Sequence, residues 1–264
     1  MWLYALLMYL LTGLGVNLGY HRILAHRALR VRKWLEHTLV FLGLPAGTPV
    51  QWIGNHRFHH VHADDPEDPH SPVQRGFWYA HTGWYMSSSS VVLCAAYALL
   101  GPVRLLLDAW MRPRTNQQFH HLAADVAADR WYRTLSRPLP YAAAMLLHFA
   151  VGVGIPVWLW GGDGALLAWA TYAFLYNLGD SVDSLTHLAG SRLPAQANSA
   201  RNNYLLGALL LGEGWHANHH WDSRCARHGW FRGQFDWTWQ VIRALRAAGL
   251  ADQIHSEFRP FEKG

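Results

Sequence analysis

The sequence is poor in cysteine, in lysine and in charge. Its two cysteines, Cys94 and Cys225, make neither a disulfide framework nor a CxxC metal site. Charged residues are 15% of the 264, against roughly 25% in an average soluble domain. That excludes an ordinary, fully water-exposed globule. Of the 22 basic residues, only Lys33 and Lys263 are lysine. No nucleic-acid-binding motif accompanies the net charge of +5. Anionic lipid headgroups or an acidic protein are therefore the expected partners of the basic surface, and nucleic acid is not. There is no heme or flavin motif and no low-complexity linker, so a single domain over 1–264 is expected.

What is present in excess is aromatic and apolar. There are 15 Trp and 11 Tyr, and 51% of the residues are hydrophobic. Amphipathic rings in such numbers suit a membrane interface. The mean hydropathy of −0.03 fits a chain half inside a bilayer and half outside it. Residues 2–20 are uncharged and long enough to span. Residues 139–162 and 164–182 form a second and third apolar run, joined by Gly161-Gly162-Asp163-Gly164 as a helical hairpin. Residues 38–54 and 82–103 are also uncharged but are broken by glycine, proline or serine.

The repeated pattern H-x-x-H-H stands out. His56, His59 and His60 lie in "NHRFHHVH", and His216, His219 and His220 in "GWHANHH". On a helix, positions i, i+3 and i+4 share one face, so each triplet presents three imidazoles to one side. Neutral imidazole suits iron, zinc, copper or nickel. His21 and His26 in "GYHRILAHR" are five apart, about 140° on an ideal helix. They are expected to serve two metals or to straddle a helix end. Eight imidazoles exceed the needs of one ion, so a two-metal site is expected. Carboxylates behind the rings would balance its charge, with Asp64, Asp65, Asp68, Asp180, Asp183, Glu213 and Asp222 as candidates.

Convergence of the histidines fixes the topology. His21, His56, His187 and His216 must lie on one side of a core about 30 Å thick. Residues 38–54 and 82–103 must then lie along the interface or dip in and return. Arginines cluster after the first run and before the second, while the hairpin loop has none. The histidine side is thus expected to be cytoplasmic, in a bacterial inner membrane or, in a eukaryote, the endoplasmic reticulum. The expected fold class is all-α: an integral membrane helical protein with a histidine-rich cap on its cytoplasmic face, built from the residues outside the spans.

"GYHRILAHR", "NHRFHHVHADDPEDPHSP", "RGFWYAHTGW", "DSLTHLAG" and "GEGWHANHH" occur in that order and together resemble the membrane fatty-acid desaturase family that includes stearoyl-CoA desaturases. The resemblance implies a diiron centre, two Fe ions held by nine histidines: His21, His26, His56, His59, His60, His187, His216, His219 and His220. It implies O2 as co-substrate and a cis double bond, Δ9 by default, in a saturated acyl chain carried by CoA, lipid or a carrier protein. Two electrons would come from a separate ferredoxin or cytochrome b5 type protein. An apolar tunnel is expected, with the aromatics near Trp52, Trp78, Tyr79, Trp84 and Trp215 as candidate walls, although interfacial anchoring is the commoner role of each alone. The family has an Asn, holding a water on one metal, where this sequence has Asp183, a candidate site residue that would bind the metal or lower its electrophilicity. Such desaturases also have a further span before the first histidine box, so a truncated start or a shorter form packed on a partner is expected.

Three rival readings are distinguishable. Hydroxylation, epoxidation or acetylenic-bond formation keeps the metal site and changes the product. A zinc-dependent membrane hydrolase needs an open position and a carboxylate base, which nine imidazoles would crowd out. A metal transporter needs polar residues at the midplane of its spans, where His148 is the one histidine.

Overall fold

The computed structural model describes residues 1–194 and 196–259. The chain is mostly helical. One departure from an all-helical fold is a two-residue antiparallel pair, Arg30–Val31 with Ala251–Asp252. It ties the C-terminal segment to the loop after the first histidine box.

The first helix, Trp2–Leu14, continues without a break into a π-helix over Gly15–Ala25. Helix Lys33–Gly43 runs back beside it in the opposite sense. Gly15 faces Gly43 so closely that a Cβ on Gly15 would stand 2.4 Å from the Gly43 nitrogen. The chain then turns through Leu44–Ala46 and re-emerges as helix Pro49–His62. Thr48 accepts from the Gln51 N–H and Pro49 supplies the first helical position, which together start that helix. Residues 38–54 thus dip alongside the first helix and return.

Residues 82–103 are likewise not one continuous helix. The chain leaves helix Trp84–Met86 at Ser87, whose φ is +52°. It forms helix Val91–Leu99, turns at Gly101, and continues as helix Val103–Met111. Nine residues of helix span only about 14 Å, half of a hydrocarbon core.

Two stretches, Trp2–Ala25 and Pro138–Leu188, are long and apolar enough to cross a bilayer by length and composition. The second doubles back at Gly161, whose φ of +57° and ψ of −130° lie outside helical values. A glycine accepts that geometry without a Cβ clash. The arms pack together, with Tyr172 Oη donating to the His148 carbonyl across the hairpin. His148 itself donates from Nε2 to the Phe41 carbonyl at 3.0 Å and stacks on the Phe41 ring. Its Nε2 is thus satisfied within the fold, the satisfied helix histidine that the sequence suggests.

Candidate metal centre

Nine imidazoles converge where the first helix, helix Pro49–His62, the end of helix Ile155–Asp183 and helix His216–Trp221 meet. They fall into two groups. His21, His26, His56, His60 and His219 offer nitrogens within 4.8 Å of one another, and so do His59, His187, His216 and His220. None of the nine is exposed.

Each triplet divides between the groups. His56 and His60, one turn apart, enter the first group and His59 enters the second. From the other triplet His216 and His220 enter the second group and His219 the first. The two helices exchange one histidine each. The groups share a wall, where the His60 and His220 rings stack at 4.3 Å.

The 140° expected between His21 and His26 does not hold, because the segment carrying them is not an α-helix. The His26 N–H donates to the His21 carbonyl at 3.1 Å, an i→i+5 bond. The wider π turn stacks residues five apart, so both rings enter the first group. Arg57 closes this turn by donating to the Leu24 and Ala25 carbonyls at 2.8 and 2.9 Å.

Carboxylates stand behind the rings as expected for some candidates. His21 donates from Nδ1 to Glu213 at 2.7 Å, and His59 from Nδ1 to Asp68 at 3.0 Å. His187 donates from Nδ1 to Ser199 Oγ at 3.0 Å, and Ser199 donates onward to Asp64 at 2.9 Å. Burial alone would raise the Glu213 carboxyl, but the charges of His228, Arg22 and His21 outweigh it and hold it well below its ordinary value. Burial likewise opposes ionisation of Asp68, and His59 overrides it. Asp65, Asp180 and Asp222 do not support the rings. Asp65 stands 3.5 Å from His62, Asp180 holds Arg104 and Tyr85, and Asp222 accepts from the Arg259 N–H.

The donor set fits cations. Because Glu213 takes the His21 Nδ1 proton, His21 Nε2 presents a lone pair. It lies 3.0 Å from His219 Nε2, which also lies 2.9 Å from His60 Nε2. Three ring nitrogens are thus turned toward one another. His59 Nε2 is buried with no hydrogen-bond partner. Burial first, and then mutual repulsion, push His56, His60, His216, His219 and His220 well below the ordinary histidine value. Neutral rings with converging lone pairs are ligands for a soft or borderline metal.

Asp183 joins neither group. Its nearest imidazole is His70, with Nδ1 4.0 Å away. Sequence reasoning missed His70 and His228, which lie against His59 and His21 in two further clusters, His59–Asp68–His70 and His21–Glu213–His228. It also missed Arg22, fully buried between Glu213 and Asp236 at 2.9 and 3.1 Å. Asn218, inside the last box, is held by Asn202 at 2.8 Å and fixes the helix that carries three of the rings. A titratable residue beside each box was the available signal.

A cavity with about 1150 Å³ of atom-free space, part of it open, reaches this centre. Tyr9, Gly13 and Val16 of the first helix, with Leu175 and Val182 of the hairpin, form its apolar walls. His21, His56, His70 and Asp183 stand along it. Trp52 and Trp84 line it as expected, but Trp78, Tyr79 and Trp215 are not among its walls. Trp215 is instead a core residue, 2% exposed, with its indole N–H donating to the Phe235 carbonyl.

Two adjacent imidazole cages at the side of a long apolar cavity define a histidine-rich site suited to two cations and a hydrocarbon ligand. Comparison with known proteins agrees. The family model described as Fatty acid desaturase matches residues 1–232. The chain is 34% identical over 258 residues to a probable chloroplastic lipid desaturase of Arabidopsis thaliana, covering 96% of this chain and 63% of that protein. It is 34% identical over 251 residues to the chloroplastic palmitoyl-monogalactosyldiacylglycerol delta-7 desaturase of the same plant, covering 94% and 60%. It is 31% identical over 256 residues to the sn-1 stearoyl-lipid 9-desaturase of Anabaena variabilis, covering 95% and 82%. The chain belongs to the fatty acid desaturase family.

Proposed function

We propose that the chain is an integral membrane diiron desaturase, an oxidoreductase that uses O2 and two electrons to insert a cis double bond into a saturated acyl chain. The carrying observation is the apolar cavity that runs beside the histidine cages, with Tyr9 and Val16 on one wall and His21 and His56 on another. A hydrolase has no use for a largely apolar cavity at its metals, whereas an acyl chain fills one.

On this reading His21, His26, His56, His60 and His219 hold one iron, and His59, His187, His216 and His220 the other. The irons supply O2 activation strong enough to take hydrogen from an unactivated methylene, which no side chain can do. The remaining work belongs to the chain. Glu213, Asp68 and Ser199 hold Nδ1 protons on His21, His59 and His187 and leave Nε2 free. Trp52 stacks on His56 at 4.7 Å and presents a flat apolar wall beside the centre. The packed walls exclude water and align the chain for reaction at neighbouring carbons.

Residues 2–20, 139–162 and 164–182 are the proposed crossings of one domain, with the histidine cap on the cytoplasmic side. Relatives named for lipid-linked chains act at positions 7 and 9 and others named for acyl-CoA at position 5, which supports an acyl chain on lipid or CoA and a bond at Δ9 or nearer the carboxyl end. A separate ferredoxin or cytochrome b5 type protein would deliver the electrons. The test is expression in a host without its own unsaturated fatty-acid supply, followed by gas chromatography–mass spectrometry of total fatty acids. A new cis-monounsaturated acid is expected. A hydroxylated or epoxidised acid would overturn the reaction.

A further inference from the structure

The cavity has one polar end. Arg112 lines it, is 2% exposed, and has its Nε buried without a hydrogen-bond partner. Its closest carboxylate, Asp108, stands 3.5 Å from Nε, and the other oxygen of Asp108 takes the Tyr97 hydroxyl. The guanidinium lies flat on the Tyr85 ring, 3.6 Å from its centroid. That contact satisfies charge but accepts no N–H in line. Arginine cannot shed its proton to escape the cost. A buried donor without an acceptor is expensive, so this group is built for a partner that enters the cavity.

A second orphan flanks the same place. Gln51 is fully buried, and neither its amide nitrogen nor its amide oxygen has a partner. A Cβ on Gly47 would stand 2.6 Å from Gln51 Oε1 and 3.8 Å from Arg112 Cδ, which places the two side chains against one spot of backbone.

Charge decides what kind of acceptor fits. Arg104 and Arg112 are balanced by Asp180 and Asp108. A phosphate or a free carboxylate would add negative charge to a site already supplied with it. A neutral carbonyl oxygen takes the N–H groups without that penalty. We infer that Arg112, with Gln51 packed behind it, binds the carbonyl oxygen of the acyl ester or thioester and so anchors the carboxyl end of the substrate.

The inference rests on the acyl-chain reading above and adds a consequence for the bond position. Arg112 stands 5.5 Å from the Trp84 ring, Trp84 5.3 Å from His70, and His70 4.3 Å from His59. The anchor is three contacts from the second cage. A carbonyl held there fixes which carbons lie beside the metals, so the double bond is counted from the carboxyl end.

The experiment measures binding to the full, metal-loaded, oxidised protein without an electron donor, so that no turnover occurs. Radiolabelled 1-stearoylglycerol is compared with 1-O-octadecylglycerol, and stearoyl-CoA with S-octadecyl-CoA. Each pair differs only by the carbonyl, and the two pairs separate a lipid carrier from CoA. The wild-type protein is expected to prefer the carbonyl member by at least about tenfold, the worth of one charged hydrogen bond. Arg112→Met should erase that preference by weakening the carbonyl probe alone, and Arg112→Lys should restore part of it. Equal affinity of the wild-type protein for ester and ether overturns the inference without any variant. A preference that survives Arg112→Met overturns it too. Failure of all four probes to bind the wild-type protein would instead overturn the acyl-chain reading beneath it.

Discussion

The Nε2 atoms of His21 and His219, 198 residues apart in sequence, lie 3.0 Å apart, while the opposite nitrogen of His21 is held by Glu213 at 2.7 Å. Two imidazole nitrogens turned toward each other at that distance, in a cluster of five, are placed to share a cation. The ring is set for that task by a carboxylate 192 residues away.

Removing one ring should therefore disable the centre. His219→Ala or His56→Ala is expected to lower turnover by at least about 100-fold, since the metal and its oriented partners act as a unit. Acyl-product analysis of membranes with matched protein levels checks it. Full turnover in either variant would contradict the assignment.

The carboxylates behind the rings should act on metal retention more than on folding. Glu213→Gln and Asp68→Asn are each expected to weaken retention at one cage by about 10–100-fold. Competition against a chelator, followed by metal analysis, reads each effect. Wild-type retention in both would mean that the Nδ1 contacts do not tune the ligands.

Asp183 is expected to behave differently. It belongs to neither imidazole group and stands 4.0 Å from His70. Asp183→Asn should leave the protein folded with its full metal content. Loss of one metal equivalent would show that Asp183 is a ligand.

The close pairing of Gly15 with Gly43 gives a stability prediction. A Cβ on Gly15 would meet the backbone of Gly43, Leu42 and Leu39 at 2.4, 2.6 and 2.9 Å. Backbone cannot move aside as a side-chain tip can, so Gly15→Ala should cost about 1–3 kcal/mol. The thermal midpoint in detergent should fall accordingly. An unchanged midpoint would mean that the returning helix is held elsewhere.

Much of the site was legible because helical spacing sets which rings share a face. What spacing could not supply was destination. Both triplets were readable as three-nitrogen faces, yet each divides between two groups, because the partner helix decides which ring meets which ion. The His21–His26 pair straddles a helix end, one of the two expectations, but both rings join one group because the chain forms a π-helix there, and nothing in "GYHRILAHR" announces that change. The dip and return of residues 38–54 followed from requiring the histidines to meet. Trp215 was read as a tunnel wall, and tertiary packing against Gly207 made it core instead. His187 came from the family resemblance, since a lone histidine at a helix end carries no signal of its own.

The central claim is that two cages of five and four imidazoles hold two irons. Metal analysis of the natively purified, active protein tests it most directly. Two irons per chain are expected, falling toward one in His219→Ala. Zinc in the active protein, or a single iron per chain at full activity, would contradict the account.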